Sequence, residues 1–161
     1  MEKKEKGITS GILPYRIKKG KIEVFIGHPG GPFHKGDDNK WSILKGQNEE
    51  GEDPFVTAIR EFEEESGYKL PEDKSLYEYL RFVEKPRKNI HVWSIQFPDL
   101  DPEKSHSNKI PLTKKDGSVI IIPEIDKYAW VTGKIAKKWL NKPQDQFIDR
   151  LKKFLGQPSD T

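Results

Sequence analysis

Arg60-Glu61-Phe62-Glu63-Glu64-Glu65 places four carboxylates and one guanidinium within six residues of a 161-residue chain. On a helix turning about 100° per residue, with Glu61 at zero, Glu64 falls at about 300° and Glu65 at about 40°. These three share one face roughly 100° wide, while Phe55, Ile59 and Phe62 lie at about 100° to 160° on a separate apolar face. Glu63, at about 200°, reads as solvated. Like charges at i,i+3 and i,i+4 repel by roughly a few tenths of a kcal/mol per exposed pair. A hard divalent cation offsets that repulsion, since Mg²⁺ takes carboxylate and phosphate oxygens. No His accompanies the cluster, which disfavours a zinc-protease arrangement. A solvated acidic face is the other reading of the same residues.

The surrounding charge sharpens the question. Ten acids and two bases lie between Glu49 and Asp73, leaving 27 bases and 16 acids elsewhere. An acidic island in a basic chain suits cations held by carboxylates beside a polyanionic substrate. A nucleic-acid binder would more often carry a continuous basic stripe. The absence of Cys excludes disulfides, zinc thiolates, iron–sulfur clusters and cysteine nucleophiles. No apolar run is long enough for a membrane span. The start, MEKKEKGITSGILPYRI, lacks the uninterrupted apolar stretch of a secretory signal, so a cytoplasmic location is the expectation.

The elements that must position the cluster are readable in outline. Gly7–Ile17 and Lys21–Gly27 read as strands joined by a Lys18–Lys19–Gly20 turn. HPGGPFHKGDDNK reads as a loop, and Trp41–Leu44 as a short strand entering Lys45–Gly46, followed by a polar loop from Gly46 to Glu52. Asp53–Pro54 offers a cap and a first-turn proline, and Gly67 a stop, bounding a helix over Pro54–Ser66. Further strands are expected at Leu76–Val83, Ile90–Phe97, Val119–Ile122 and Lys127–Val131. The Pro/Ser/Asn/Lys-rich stretch 98–117 reads as one long loop. Two closing helices cover about Gly133–Asn141 and Gln144–Leu155, the second with Phe147, Ile148, Leu151 and Leu155 at core spacing. This pattern predicts an α/β fold, a mixed sheet with helices on both faces.

Gly46, five residues, Glu52, seven residues and then Arg60-Glu61-Phe62-Glu63-Glu64-Glu65-Ser66-Gly67-Tyr68 resemble the Nudix box, G-x5-E-x7-R-E-U-x-E-E-x-G-U. Every fixed letter is present, with aromatics Phe62 and Tyr68 at positions where aliphatics are commoner. The lead-in WSILKGQNEEGEDP is similar to that of bacterial members, with Leu44 in place of the usual Pro. HPGGPF, PEIDKYAW and NKPQDQFIDRL resemble one bacterial subfamily of nucleotide pyrophosphohydrolases near the diadenosine-tetraphosphate hydrolases. Those hydrolases carry a Tyr downstream of the box, where this chain has Glu84, Lys85 and Pro86.

The resemblance implies one Nudix domain over residues 1–161, an α/β/α sandwich with the box (46–68) as loop–helix–loop. It implies hydrolysis of a nucleoside diphosphate linked to another group, most simply a dinucleoside polyphosphate or nucleoside triphosphate. The cofactor would be Mg²⁺, with Mn²⁺ as a substitute, bound by Glu61, Glu64, Glu65 and the Gly46 carbonyl, with Glu124 as a further ligand or base. Glu64 or a neighbour would take a proton from water, while Arg60 and Glu52 would pair to fix the loop. Lys45, Arg81, Arg87 and Lys88 are candidates for holding phosphates, and Trp41 for stacking a base. Trp93 and Tyr15 are further candidates for stacking a base, with core packing as the other reading of all three. The partner would be a small nucleotide rather than a membrane. An RNA end, a homodimer, a ligand-sensing module without catalysis and a cation-independent acidic interaction module are the alternatives.

Overall fold

The computed structural model describes residues 6–31 and 40–157. Eight strands and three helices follow in the order β1 (Gly7–Lys18), β2 (Lys21–Pro29), β3 (Leu44–Gln47), α1 (Pro54–Ser66), β4 (Glu78–Glu84), β5 (Lys88–Gln96), β6 (Lys109–Thr113), β7 (Val119–Pro123), β8 (Ile125–Thr132), α2 (Gly133–Trp139) and α3 (Asp145–Phe154). Six strands form a mixed sheet in the order β4-β5-β1-β2-β8, with β3 also on β1. β1 is the spine. Its residues Tyr15–Lys18 pair with β2, Thr9–Ile12 pair with β3, and β5 runs parallel along it from Gly7 to Tyr15.

The period of two along each strand divides the core between the two faces. Leu13, Val24, Ile26 and Val92 pack beneath Ala136 of α2 and Phe147, Ile148 and Leu151 of α3. Their neighbours Ile12, Phe25 and Trp93 face the other way and meet Phe55, Ala58 and Phe62 of α1. The sheet thus lies between helices, as the sequence predicts.

α1 occupies the span read from its caps. Asp53 accepts hydrogen bonds from the Phe55 and Val56 amides at 3.0 and 3.4 Å, and Gly67 takes the left-handed turn at φ 78°. Its far end is unusual, because three glutamates sit in a last turn that has no basic residue. The helix dipole disfavours negative charge there. All four final carbonyls have donors that hold this end in place. The Gly67 amide bonds Glu63 O at 2.9 Å, Asn108 N bonds Glu64 O at 2.9 Å, and His106 N bonds Ser66 O at 3.1 Å. The Tyr128 hydroxyl donates to Glu65 O.

Those contacts correct the reading of 98–117 as one long loop. Residues 101–108 wrap the end of α1, and Lys109–Thr113 form a hairpin with Val119–Pro123 outside the main sheet. Pro111 and the polar residues around it obscured a strand whose alternate Ile110 and Leu112 are half-buried. The third strand also moves. Trp41 and Ser42 make only isolated bridges, and β3 runs over Leu44–Gln47, so Lys45 and Gly46 lie in the strand rather than beyond it. Leu76 ends a short 3₁₀ turn ahead of β4. Residues 32–39, most of the expected Gly/Pro/His loop, lie outside the described residues.

β4 is one edge of the sheet and carries a bulge between Tyr79 and Phe82. Arg81 there has φ 65°, a left-handed conformation that costs a non-glycine residue roughly 1–2 kcal/mol. Arg150 of α3 closes the edge by donating from Nη1 to Leu80 O at 3.1 Å and Phe82 O at 2.9 Å.

The cap is the simplest part of this arrangement to test. Asp53→Ala removes the acceptor for two first-turn amides and is expected to lower unfolding free energy by about 1 kcal/mol, read from urea denaturation.

Candidate active site

α1 and β3 meet at the carboxylates. β3 presents bare backbone at Gly46, and Glu61 lies across it: a Cβ at Gly46 would stand 2.0 Å from Glu61 Cδ. One turn on, Glu65 is 3% exposed and faces the backbone amide of Lys45. Burial, then the negative charges of Glu124 and Glu61, push the Glu65 carboxyl up to about 9. Glu61 is also raised, mainly by burial, with Arg60 opposing the shift. Glu124 occupies the junction of β7 and β8, where Gly30 N bonds its carbonyl and its own amide bonds Asn108 O.

Arg60 is the counter-ion of this group. Its Nε and Nη2 each reach a Glu52 carboxylate oxygen at 2.9 Å. Nη1 turns to Glu61 at 3.0 Å and Glu64 at 3.3 Å. The Thr57 hydroxyl adds a 2.6 Å bond to Glu52. The Arg60 hydrogen bond, followed by that of Thr57, holds the Glu52 carboxyl down to about 2. The loop between β3 and α1 is fastened by Ser10 Oγ to Asn48 at 2.9 Å and Asn48 Nδ2 to Glu52 O at 3.1 Å. The Arg60–Glu52 pairing expected from the sequence is therefore present, and through Arg60 it reaches the cluster itself.

Among the described residues no three His, Asp or Glu side chains form a ready metal cage. Arg60 instead lies against both Glu61 and Glu64. The donor set nonetheless fits a hard divalent cation. Every side-chain donor is a carboxylate oxygen, and Glu65 Oε2 is buried without a hydrogen-bond partner. An oxygen so placed costs free energy until something satisfies it.

Basic groups border the acids. Lys45, half-buried on β3, is lowered to about 8 by burial and by repulsion from Lys88 and Lys85, against attraction to Glu65 and Glu124. Lys88 begins β5, and Arg87 sits exposed in the turn before it. Lysines and carboxylates thus share one region with opposite signs.

The readings of Trp41, Trp93, Tyr15, Arg81 and Glu63 are corrected. Trp41 is 5% exposed and stacks on Trp139 at 5.1 Å, so its ring belongs to the core and offers no base platform. Trp93 is likewise buried, in the cluster beneath α1, and Tyr15 packs on the other core. Arg81 lies on the sheet edge beside α3, with β5 and β1 between it and β3, roughly 14 Å away at the usual strand spacing. Glu63 is not merely solvated, because its carboxylate accepts the Leu70 amide at 2.9 Å. Sequence reasoning missed Asn108, His106 and Tyr128, whose contacts across the fold leave no local spacing to read.

The NUDIX domain family model matches residues 10–151. No curated protein matches the sequence. Among solved structures, the chain is similar to an Ap4A hydrolase of C. elegans in a binary complex, with TM-score 0.62 and 23% identity over 93% of this chain and 98% of that one. It is also similar to the NUDIX domain of Shewanella oneidensis NrtR complexed with ADP ribose, at TM-score 0.62 and 15% identity over 94% and 90% of the two chains. A mutT/nudix family protein from Listeria innocua gives TM-score 0.65 at 14% identity, covering 96% of each chain. At such identities the structural likeness shows the fold.

Two outcomes are expected. Gly46→Ala should drive Glu61 off the strand and weaken divalent-cation binding about 10–100-fold in calorimetric titration. Glu52 is depressed in the folded protein, so it stabilises the fold above its ordinary carboxylate range and loses that contribution as pH falls toward about 2. Acid titration of Glu52→Gln should therefore lack the component of unfolding that the wild type shows between about pH 4.5 and pH 2.

Proposed function

The chain belongs to the Nudix family of pyrophosphohydrolases, and on that premise we propose that it hydrolyses a phosphoanhydride bond in a dinucleoside polyphosphate or nucleoside triphosphate, with Mg²⁺ as cofactor and Mn²⁺ as a substitute. The observation that carries this reading is the pairing of opposites at the join of α1 and β3. There the desolvated carboxylates Glu61 and Glu65 face Glu124, and the cationic Lys45 stands beside them. The neighbour from C. elegans acts on Ap4A, and the Shewanella domain holds ADP ribose. Both molecules contain a nucleoside diphosphate joined to a further group. In this reading residues 1–161 act as one domain.

Glu61, Glu64, Glu65 and the Gly46 carbonyl would hold the cation, with Glu124 as the further ligand. When bound, Mg²⁺ supplies charge neutralisation to the bridging phosphates and lowers the pKa of a water. Lys45 and Lys88, joined by Arg87 from the turn, hold phosphate oxygens and orient the anhydride. Of Glu61, Glu64 and Glu65, Glu64 is the most exposed, with its side chain 44% accessible, and among the described residues its carboxylate meets Arg60. It is therefore free to take the proton from water as general base. The water oxygen attacks one phosphorus in line, the bridging P–O bond breaks, and the released phosphate departs with that bridging oxygen. Arg60 and Glu52 act by position, holding the loop against α1 while the carboxylates change charge.

Glu64→Gln and Glu65→Gln should each lose about 10²–10⁴-fold in kcat while far-UV circular dichroism and Tm stay near wild type. Near-normal turnover in both would sink the assignment. The substrate class is tested by hydrolysis of dinucleoside polyphosphates, nucleoside triphosphates, nucleotide sugars and capped RNA, with and without Mg²⁺, followed by product identification. Cation-dependent release of mononucleotides from the first two classes is expected. Exclusive turnover of capped RNA would move the assignment to RNA ends.

A further inference from the structure

On the face of the sheet opposite α1, a short run of β1 links Lys45 and Lys88. Side chains alternate along β1, with Ile12 toward α1 and Leu13 toward α2 and α3. Gly7, Thr9 and Gly11 therefore share the face of Leu13. The register sets Lys88 of β5 opposite Gly7, Gln47 of β3 opposite Thr9, and Lys45 of β3 opposite Gly11. Thr9 is thus the one side chain between two bare positions, with a lysine beside each. A Cβ at Gly11 would stand 2.6 Å from Leu44 O and 2.7 Å from Lys45 Cβ, so the strands leave no room for one.

Thr9 is 2% exposed, and its hydroxyl is buried without a hydrogen-bond partner. It lines a cavity of about 220 Å³ together with Gly7, Gln47, Arg87 and Lys88. Among the described residues Arg87 and Lys88 make no ion pair. Lys45, Lys85 and Lys88 repel one another. An anion answers both conditions, because a hydroxyl donates its stronger bonds to a charged acceptor. Left unmade, the bond at Thr9 only costs stability. From Gly7 to Gly11 is about 13 Å of strand, which suits a chain of phosphates better than a single one.

We propose that the Thr9 hydroxyl donates to a phosphate of the substrate, completing an anion track along β1 between Lys45 and Lys88. This rests on the hydrolase reading and narrows its substrate class. The site takes a polyphosphate chain longer than a diphosphate. The carboxylates engage the anhydride to be broken, and Thr9 holds a phosphate further along the chain.

Inorganic tripolyphosphate titrated into the full chain in EDTA tests the track without turnover. Calorimetry should show saturable 1:1 binding with Kd below about 1 mM, and pyrophosphate should bind about tenfold more weakly. Thr9→Val keeps the shape and removes the donor. It should weaken tripolyphosphate binding about tenfold while Tm stays level or rises. Thr9→Ser should bind nearly as the wild type does. A hydroxyl with a structural role alone would give the reverse, a lower Tm and unchanged affinity. Absence of saturable binding, or wild-type affinity in Thr9→Val, would overturn the proposal, and Mg²⁺-dependent hydrolysis by the wild type would still uphold the reaction class. Pyrophosphate binding as tightly as tripolyphosphate would overturn the chain-length assignment. Weakened binding in Thr9→Val with no hydrolysis of any nucleotide would uphold the track and remove the hydrolase reading.

Discussion

The contact on which the site depends is that of Glu61 and Glu65 with the backbone of β3 at Lys45 and Gly46. It draws carboxylates out of water, brings them within reach of Glu124, and sets Lys45 beside them. The geometry requires that one residue of β3 have no side chain. It also requires that the helix approach the strand along the edge that carries its charges rather than along its apolar face alone. Desolvating like charges in this way is unfavourable, and Arg60, anchored by Glu52, offsets part of that cost within the protein itself.

A second constraint follows from where these acids lie. They occupy the carbonyl end of α1, where the helix dipole already concentrates negative charge. An isolated helix of this sequence would fray there. Here each terminal carbonyl has a donor, from Gly67, Asn108, Tyr128 or His106. Tyr128 is itself stacked on Phe25 at 5.8 Å, which ties the helix end to the core beneath it. Stability and function therefore make opposite demands of one helical turn, and the segment before the β6–β7 hairpin reconciles them.

What the sequence disclosed was what depends on local spacing. The bounds of α1 follow from Asp53, Pro54 and Gly67, and the shared face of Glu61, Glu64 and Glu65 follows from helical pitch. The order of the helices and of the strands other than β6 was also readable, because alternation and turn residues act over a few positions. Failures came where distant chain decided the outcome. Trp41 is aromatic and precedes the box, yet Trp139 takes its ring into the core. Arg81 is basic and follows the box, yet a bulge and α3 fix it to the far edge of the sheet. β6 was concealed because its pairing partner β7, rather than its own composition, makes it a strand.

The clamp on α1 also bears on the order of assembly. The Tyr128 hydroxyl lies 63 residues downstream of the carbonyl it seals, and β1 pairs with β5 across a similarly wide interval of chain. During synthesis the acidic turn therefore emerges from the ribosome long before the partners that hold its shape. Closing such large loops early is entropically unfavourable, so folding of this chain should be governed by late, long-range docking rather than by rapid local helix growth.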